Sequence, residues 1–113
     1  MTRWSEHASR LVSLRDELSA LRASGGISEQ FVDWHRRLIA CLLSITSDVP
    51  SCASLCEELK MINYELPPEI EHGLPGELPA DPIMIQASRV YFRNQCDRAT
   101  ELIRTLLLSL RAA

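Results

Sequence analysis

Cys52 and Cys56 stand four residues apart, the spacing that sets two thiols one above the other on a helix face. With His7, His35 or His72 they could supply sulfur and nitrogen ligands to a divalent metal. A closed site of that kind needs a second cysteine pair, and Cys41 and Cys96 are each single; three of the four cysteines, Cys41, Cys52 and Cys56, are flanked by Leu or Ala in amphipathic stretches where a thiol packs as a small hydrophobe. The pattern therefore predicts core cysteines and no metal. Four cysteines also permit two disulfides in three pairings. The one-turn spacing of Cys52 and Cys56 disfavours that, and so does the opening Met1–His7, which is charged where a secretory leader is apolar. The expected compartment is the cytoplasm.

Covalent catalysis is no better supplied. A nucleophile elbow of the Gly-x-Ser-x-Gly type and a glycine-rich phosphate loop are both missing, and Ser24-Gly25-Gly26 is too short for either. The acid pairs Asp16-Glu17 and Glu57-Glu58 sit on helix surfaces, where successive residues face different ways and act as solubilising charge. The residues point to a protein that is not an enzyme, with no catalytic residues and no cofactor. A helical hydrolase or nuclease would require a cleft that gathers His7 or His35 with carboxylates.

Charge narrows the partners. Twelve basic and fifteen acidic residues leave a net charge of −3, no footprint for a polyanion, so nucleic acid is not expected. No run approaches the ~18 apolar residues of a membrane span, so a membrane partner is not expected. The distribution is uneven: Glu57–Asp81 carries −6, and the rest of the chain +3. Glu69, Glu71 and Glu77 lie in that acidic stretch and could bait a basic effector, which would make the chain a regulatory or inhibitory subunit. Arg89, Arg93, Arg104 and Arg111 fall within about 60° of one another on a helical wheel and could engage an acidic partner or the acidic stretch itself. Asp97 and Glu101 interrupt that stripe, which also fits a solvated face with internal ion pairs.

The elements that hold these groups follow from periodicity. Trp4, His7, Leu11, Leu14, Leu18 and Leu21 keep the 3-4 spacing of one helical face, and Gly25-Gly26 end that helix. Ser28 is placed to cap a second helix with the stripe Phe31, Trp34, Leu38, Cys41, Leu42 and Ile45, closed by Ser47-Asp48-Val49-Pro50. A short third helix runs from about Ser51 to Asn63, with Cys52, Leu55, Cys56, Leu59 and Ile62 on one side. Five prolines and two glycines between Tyr64 and Pro82 predict a long loop. Asp81-Pro82 starts a fourth helix reaching Arg111, with Ile85, Phe92, Cys96, Ala99, Ile103, Leu106 and Leu110 as its seam. The fold class is all-α: a single four-helix bundle-like domain over residues 1–113, three shorter helices packed on a long C-terminal one. With 46% hydrophobic residues, seventeen of them leucine, the chain has material for one core.

It has more apolar faces than that core needs. Val90 and Leu108 project roughly 160° from the fourth helix's seam, Leu102 and Leu107 fill its flanks, and Ile39 and Leu43 lie outside the sector of the second helix. The Leu106-Leu107-Leu108 end is apolar all round and reads as buried. These six positions predict an interface, most simply a two-fold homodimer or a complex with a protein partner. The alternative is that the long loop covers them in a monomer.

Two resemblances bear on this. Phe31-Val32-Asp33-Trp34-His35-Arg36-Arg37, then Leu42-Leu43 and a Ser/Asp turn, then Tyr91-Phe92-Arg93, Arg98-Ala99 and Leu102-Ile103-Leu106 resemble the helical accessory domains of bacterial cytosolic and defence-associated proteins. That implies a sensing or scaffold module attached to an effector, and the preference for arginine, eleven of twelve basic residues, suits a GC-rich bacterial genome. Arg93-Asn94-Gln95-Cys96-Asp97-Arg98 is similar to the Arg-Asn-x-x-x-His motif of the HEPN ribonucleases, an all-helical dimeric family. Arg98 stands where that family's histidine completes the nuclease site, so this resemblance implies a non-catalytic relative. The reading as a whole is a non-enzymatic interaction or dimerisation module.

Overall fold

The computed structural model describes residues 2–65 and 82–112. They form α1 (Thr2–Ser24), α2 (Glu29–Asp48), a 3-10 turn (Pro50–Cys52), α3 (Ala53–Lys60) and α4 (Pro82–Ala112). No strand occurs among the described residues. The all-α class and the long last helix agree with the periodicity, whereas the predicted proline-rich loop, the Asp81 cap, Glu69, Glu71 and Glu77 lie outside the described residues.

The boundaries have local causes. Gly25 takes φ 77°, the left-handed conformation that ends α1 through a Gly25 N–H bond to the Arg22 carbonyl. The Ser28 hydroxyl accepts from the Phe31 N–H at 3.2 Å and so caps α2. Ile27 and Val32 occupy the two positions that bracket such a cap as a hydrophobic staple. Val49 and Pro50 stop α2, since proline disfavours the helical region for the residue before it. The third helix is shorter than its pattern: residues 50–52 wind as 3-10, and the chain leaves the helix at Met61. Ile62 and Tyr64 are nevertheless buried, because the extended chain after α3 still runs along the core.

Around the bundle α1 borders α2 and α4, and α3 also borders α2 and α4, so α2 and α4 lie across from each other. Leu11, Leu18, Trp34, Leu38, Leu42, Ile45, Leu59, Cys96, Ile103 and Leu106 are fully enclosed between them. Each such side chain contributes about 1.5–3 kcal/mol over its exposed state. The seam of α4 holds from Phe92 to Leu110, but Ile85, counted with it in the sequence, is 45% exposed. All four cysteines are buried free thiols. Burial pushes the thiols of Cys41 and Cys56 up and that of Cys96 to about 12, which keeps them protonated and inert.

One end of the bundle is aromatic. Phe31 meets Tyr64 and Phe92 edge-on at 4.8 and 5.1 Å between ring centroids, and the tilted ring of Trp34 at 5.3 Å. The Trp34 indole donates to the Leu14 carbonyl at 2.8 Å and ties α2 to α1. On the surface Arg22 grips Asp97 with two bonds, and Arg37 holds both Glu17 and Asp33.

Candidate functional site

The aromatic end fixes where the bundle stops. Arg89 and Arg93 of α4 pack over the α1–α2 turn: their Cγ and Nη2 atoms lie 3.5 and 3.8 Å from where a Cβ on Gly25 would stand. The Gln95 amide donates to the Asn63 carbonyl at 2.9 Å, just after α3. The other helices have therefore all ended at the level of residues 89–95 of α4. The seven residues Pro82–Ser88 continue beyond that level by about 10 Å, at 1.5 Å per residue. No described side chain before Phe92 on α4 is buried.

Beside this overhang opens a groove of about 660 Å3 between α3 and α4. Ser54, Glu57, Glu58 and Met61 form one wall and Tyr91, Gln95 and Arg98 the other, with Ile62 and Asn63 between them. Met61 is 73% exposed although it is apolar. Glu57 pairs with Lys60 at 3.6 Å, whereas Glu58 and Arg98 have no ion-pair partner among the described residues. Gln95 also donates to the Tyr91 hydroxyl, so this wall is held by its own hydrogen bonds. Two smaller grooves, of 370 and 500 Å3, follow the α1–α2 seam and share the Arg37–Glu17 pair.

The six predicted interface positions divide. Ile39, Leu102 and Leu107 are half-buried and pack against the core, while Leu43, Val90 and Leu108 remain outside, the first and last more than half exposed. The Leu106–Leu108 end is therefore not enclosed on every side within one chain. Because α2 and α4 are not neighbours, Leu43 faces away from Val90 and Leu108, and the six do not form one continuous surface.

The basic stripe also divides. Arg104 sits 3.9 Å from Glu101 and Asp97 is taken by Arg22, the internal pairing that competes with a binding role. Its hydrogen bonds to Asp97 raise the Arg22 pKa and hold the charge in place. Arg89 and Arg93 lie at the open end and Arg111 at the other.

The structure does gather a histidine with a carboxylate. His7 on α1, 5% exposed, meets Asp48 at the end of α2 at 2.9 Å. The pair ties two helix ends together and lines none of the three grooves, and the His7 Nδ1 is buried without a hydrogen-bond partner among the described residues. His35 Nε2 and the Tyr64 hydroxyl are likewise buried without a hydrogen-bond partner among the described residues, in rings 5.7 Å apart. Burial lowers the pKa of His35 and raises that of Tyr64, so both are neutral near pH 7. Among the described residues no three His, Cys, Asp or Glu side chains gather to hold a metal, and no helix is long and apolar enough to cross a membrane.

Sequence reasoning missed the groove, the His7–Asp48 pair and the burial of Tyr64. Each joins residues 28 or more apart in the chain, which periodicity does not register. The overhang did leave a signal, since Ser88 and Arg89 stand where the seam between Ile85 and Phe92 needed an apolar residue. Compared with protein-family models, curated proteins and solved structures, the chain matches none of them.

Proposed function

We propose that the chain is a non-enzymatic, helical protein–protein interaction module that associates with a second copy of itself. One observation carries this reading: α4 continues past the ends of its three described neighbours, with Ile85 45% exposed on that stretch and Val90 44% exposed at its base. These two turns propagate from the packed part of α4 and need no new nucleus, but they leave aliphatic side chains without apolar cover among the described residues. A partner surface supplies the missing contacts. The HEPN-like stretch Arg93–Arg98, whose resemblance implies a dimeric non-catalytic relative, lies beside this end, with Arg98 on the groove wall.

Sedimentation equilibrium at micromolar concentration tests the reading. The expected species has twice the 12.8 kDa chain mass, and a species of 12.8 kDa throughout the range rejects self-association. Val90→Glu lowers the dimer fraction, while Leu43→Glu, on the far side of the bundle, leaves it unchanged. The reverse result would move the interface to α2.

A further inference from the structure

We propose that His35 and Tyr64 form an acid-sensitive latch: protonation of His35 releases residues 62–65 from the bundle, and with them the floor of the α3–α4 groove, while the four helices stay folded. The latch stands independently of the self-association proposed above.

Residues 62–65 are held by few contacts. The chain leaves α3 at Met61, and the Glu65 N–H turns back to the Asn63 side chain of the same segment. Among the described residues one hydrogen bond ties the segment to another helix, from the Gln95 amide to the Asn63 carbonyl. Its remaining hold is the burial of Ile62 and Tyr64. The Tyr64 ring closes on Phe31 at 4.8 Å, His35 at 5.7 Å, Trp34 at 6.4 Å and Phe92 at 6.5 Å.

That closure encloses two polar atoms, His35 Nε2 and the Tyr64 hydroxyl, neither with a hydrogen-bond partner among the described residues. A neutral imidazole can keep its proton on Nδ1 and leave Nε2 a bare acceptor, whereas imidazolium carries an N–H on both nitrogens. Acid therefore places a charged donor among aromatic rings with no acceptor, which costs far more than an unpaired neutral acceptor. Phe31 and Trp34 face the imidazole from α2 and Tyr64 faces it from the segment after α3; of these only Tyr64 titrates, and burial keeps it neutral. No charged side chain of α1, α2, α3 or α4 acts on the ring among the described residues, and burial alone lowers its pKa. Nothing compensates the added charge there.

The segment yields before the helix does. His35 lies within α2, which the neighbouring Trp34 indole fastens to the Leu14 carbonyl, while residues 62–65 have no helical ladder to lose. Their release lets Nε2 and the Tyr64 hydroxyl both reach water. Ile62 and Asn63 lie between the two walls of the groove, so a proton taken up on α2 reshapes that groove and frees the Gln95 amide.

An NMR titration reads both sides of the latch. The His35 ring should titrate below its ordinary value of about 6.5, and the amide signals of residues 62–65 should shift with the same midpoint, while far-UV circular dichroism holds its neutral-pH helix content through that range. His35→Phe should remove this step from the amides. Tyr64→Ala should open the latch at neutral pH and return the His35 midpoint to about 6.5, whereas Tyr64→Phe, which keeps the ring, should leave it lowered. The latch is overturned by a wild-type His35 midpoint at the ordinary value, by amides of residues 62–65 that do not follow His35, or by a lowered midpoint that survives Tyr64→Ala. Helix loss at the His35 midpoint also overturns it, because the bundle then opens as a whole.

Discussion

Two stretches of one continuous helix, α4, meet different surroundings. From Phe92 to Leu110 every third or fourth side chain is buried against α1, α2 or α3, while from Pro82 to Val90 no described side chain is. Both stretches are α-helical, and both carry aliphatic residues. They differ in what stands opposite. α1 and α2 are joined by a turn at Gly25 and α3 leaves its helix at Met61, so the neighbours run out while α4 has two turns left. A helix longer than its partners exports apolar surface at its free end, and that end is where an assembly contact has most to bury.

The largest expected effect separates the two stretches directly. Phe92→Ala removes a ring packed on Phe31 and should cost about 3–5 kcal/mol in urea unfolding, whereas Ile85→Ala should cost less than about 0.5 kcal/mol when measured on the monomer. Equal losses would mean that the overhang is packed within the chain, and the comparison would collapse.

A smaller effect is expected at the boundary. Gly25→Ala forces an L-residue to φ 77° where the Arg89 stem lies at ordinary contact distance, and should destabilise by about 1–2 kcal/mol. The cost is backbone strain, so thermal unfolding should show it equally in an Arg89→Ala background.

The weakest expected effect is pH-dependent and sharpens the buried side. Burial lowers the pKa of His35, so between that value and the ordinary value of about 6.5 the unfolded chain binds more protons than the folded one. Stability is therefore intact above about pH 6.5 and declines as the pH falls below it. His35→Phe should flatten that part of the pH profile. Tyr64→Phe, which removes a buried hydroxyl without a partner, should be neutral or stabilising by up to about 1 kcal/mol. A clear loss from Tyr64→Phe would mean that the hydroxyl has a bound water or other acceptor.

Much of this was legible beforehand. The stripes of α1, α2 and α4, the Ser28 cap, the Gly25 turn and the buried thiols follow from the local spacing of apolar residues and from backbone preferences that each residue carries with it. The candidate surface was legible only in part. Leu43, Val90 and Leu108 are exposed as their wheel positions imply, and Ile39, Leu102 and Leu107 join the edge of the core, because a flank position is covered or bare according to how close the next helix comes. The groove and the Tyr64 contact were not legible at all, since they depend on where α3 unwinds relative to a helix that begins some twenty residues later.

The amino-acid sequence alone determined which segments are helical, which face of each is apolar and where the caps stand, because these depend on interactions within a few residues. Tertiary structure decided which apolar faces found neighbours, that Leu43 and Val90 look in opposite directions, and that α4 outruns the bundle. Those outcomes depend on the relative lengths and placement of helices, which are set when the core closes around Trp34 and Phe92 and not by any one helix's own pattern.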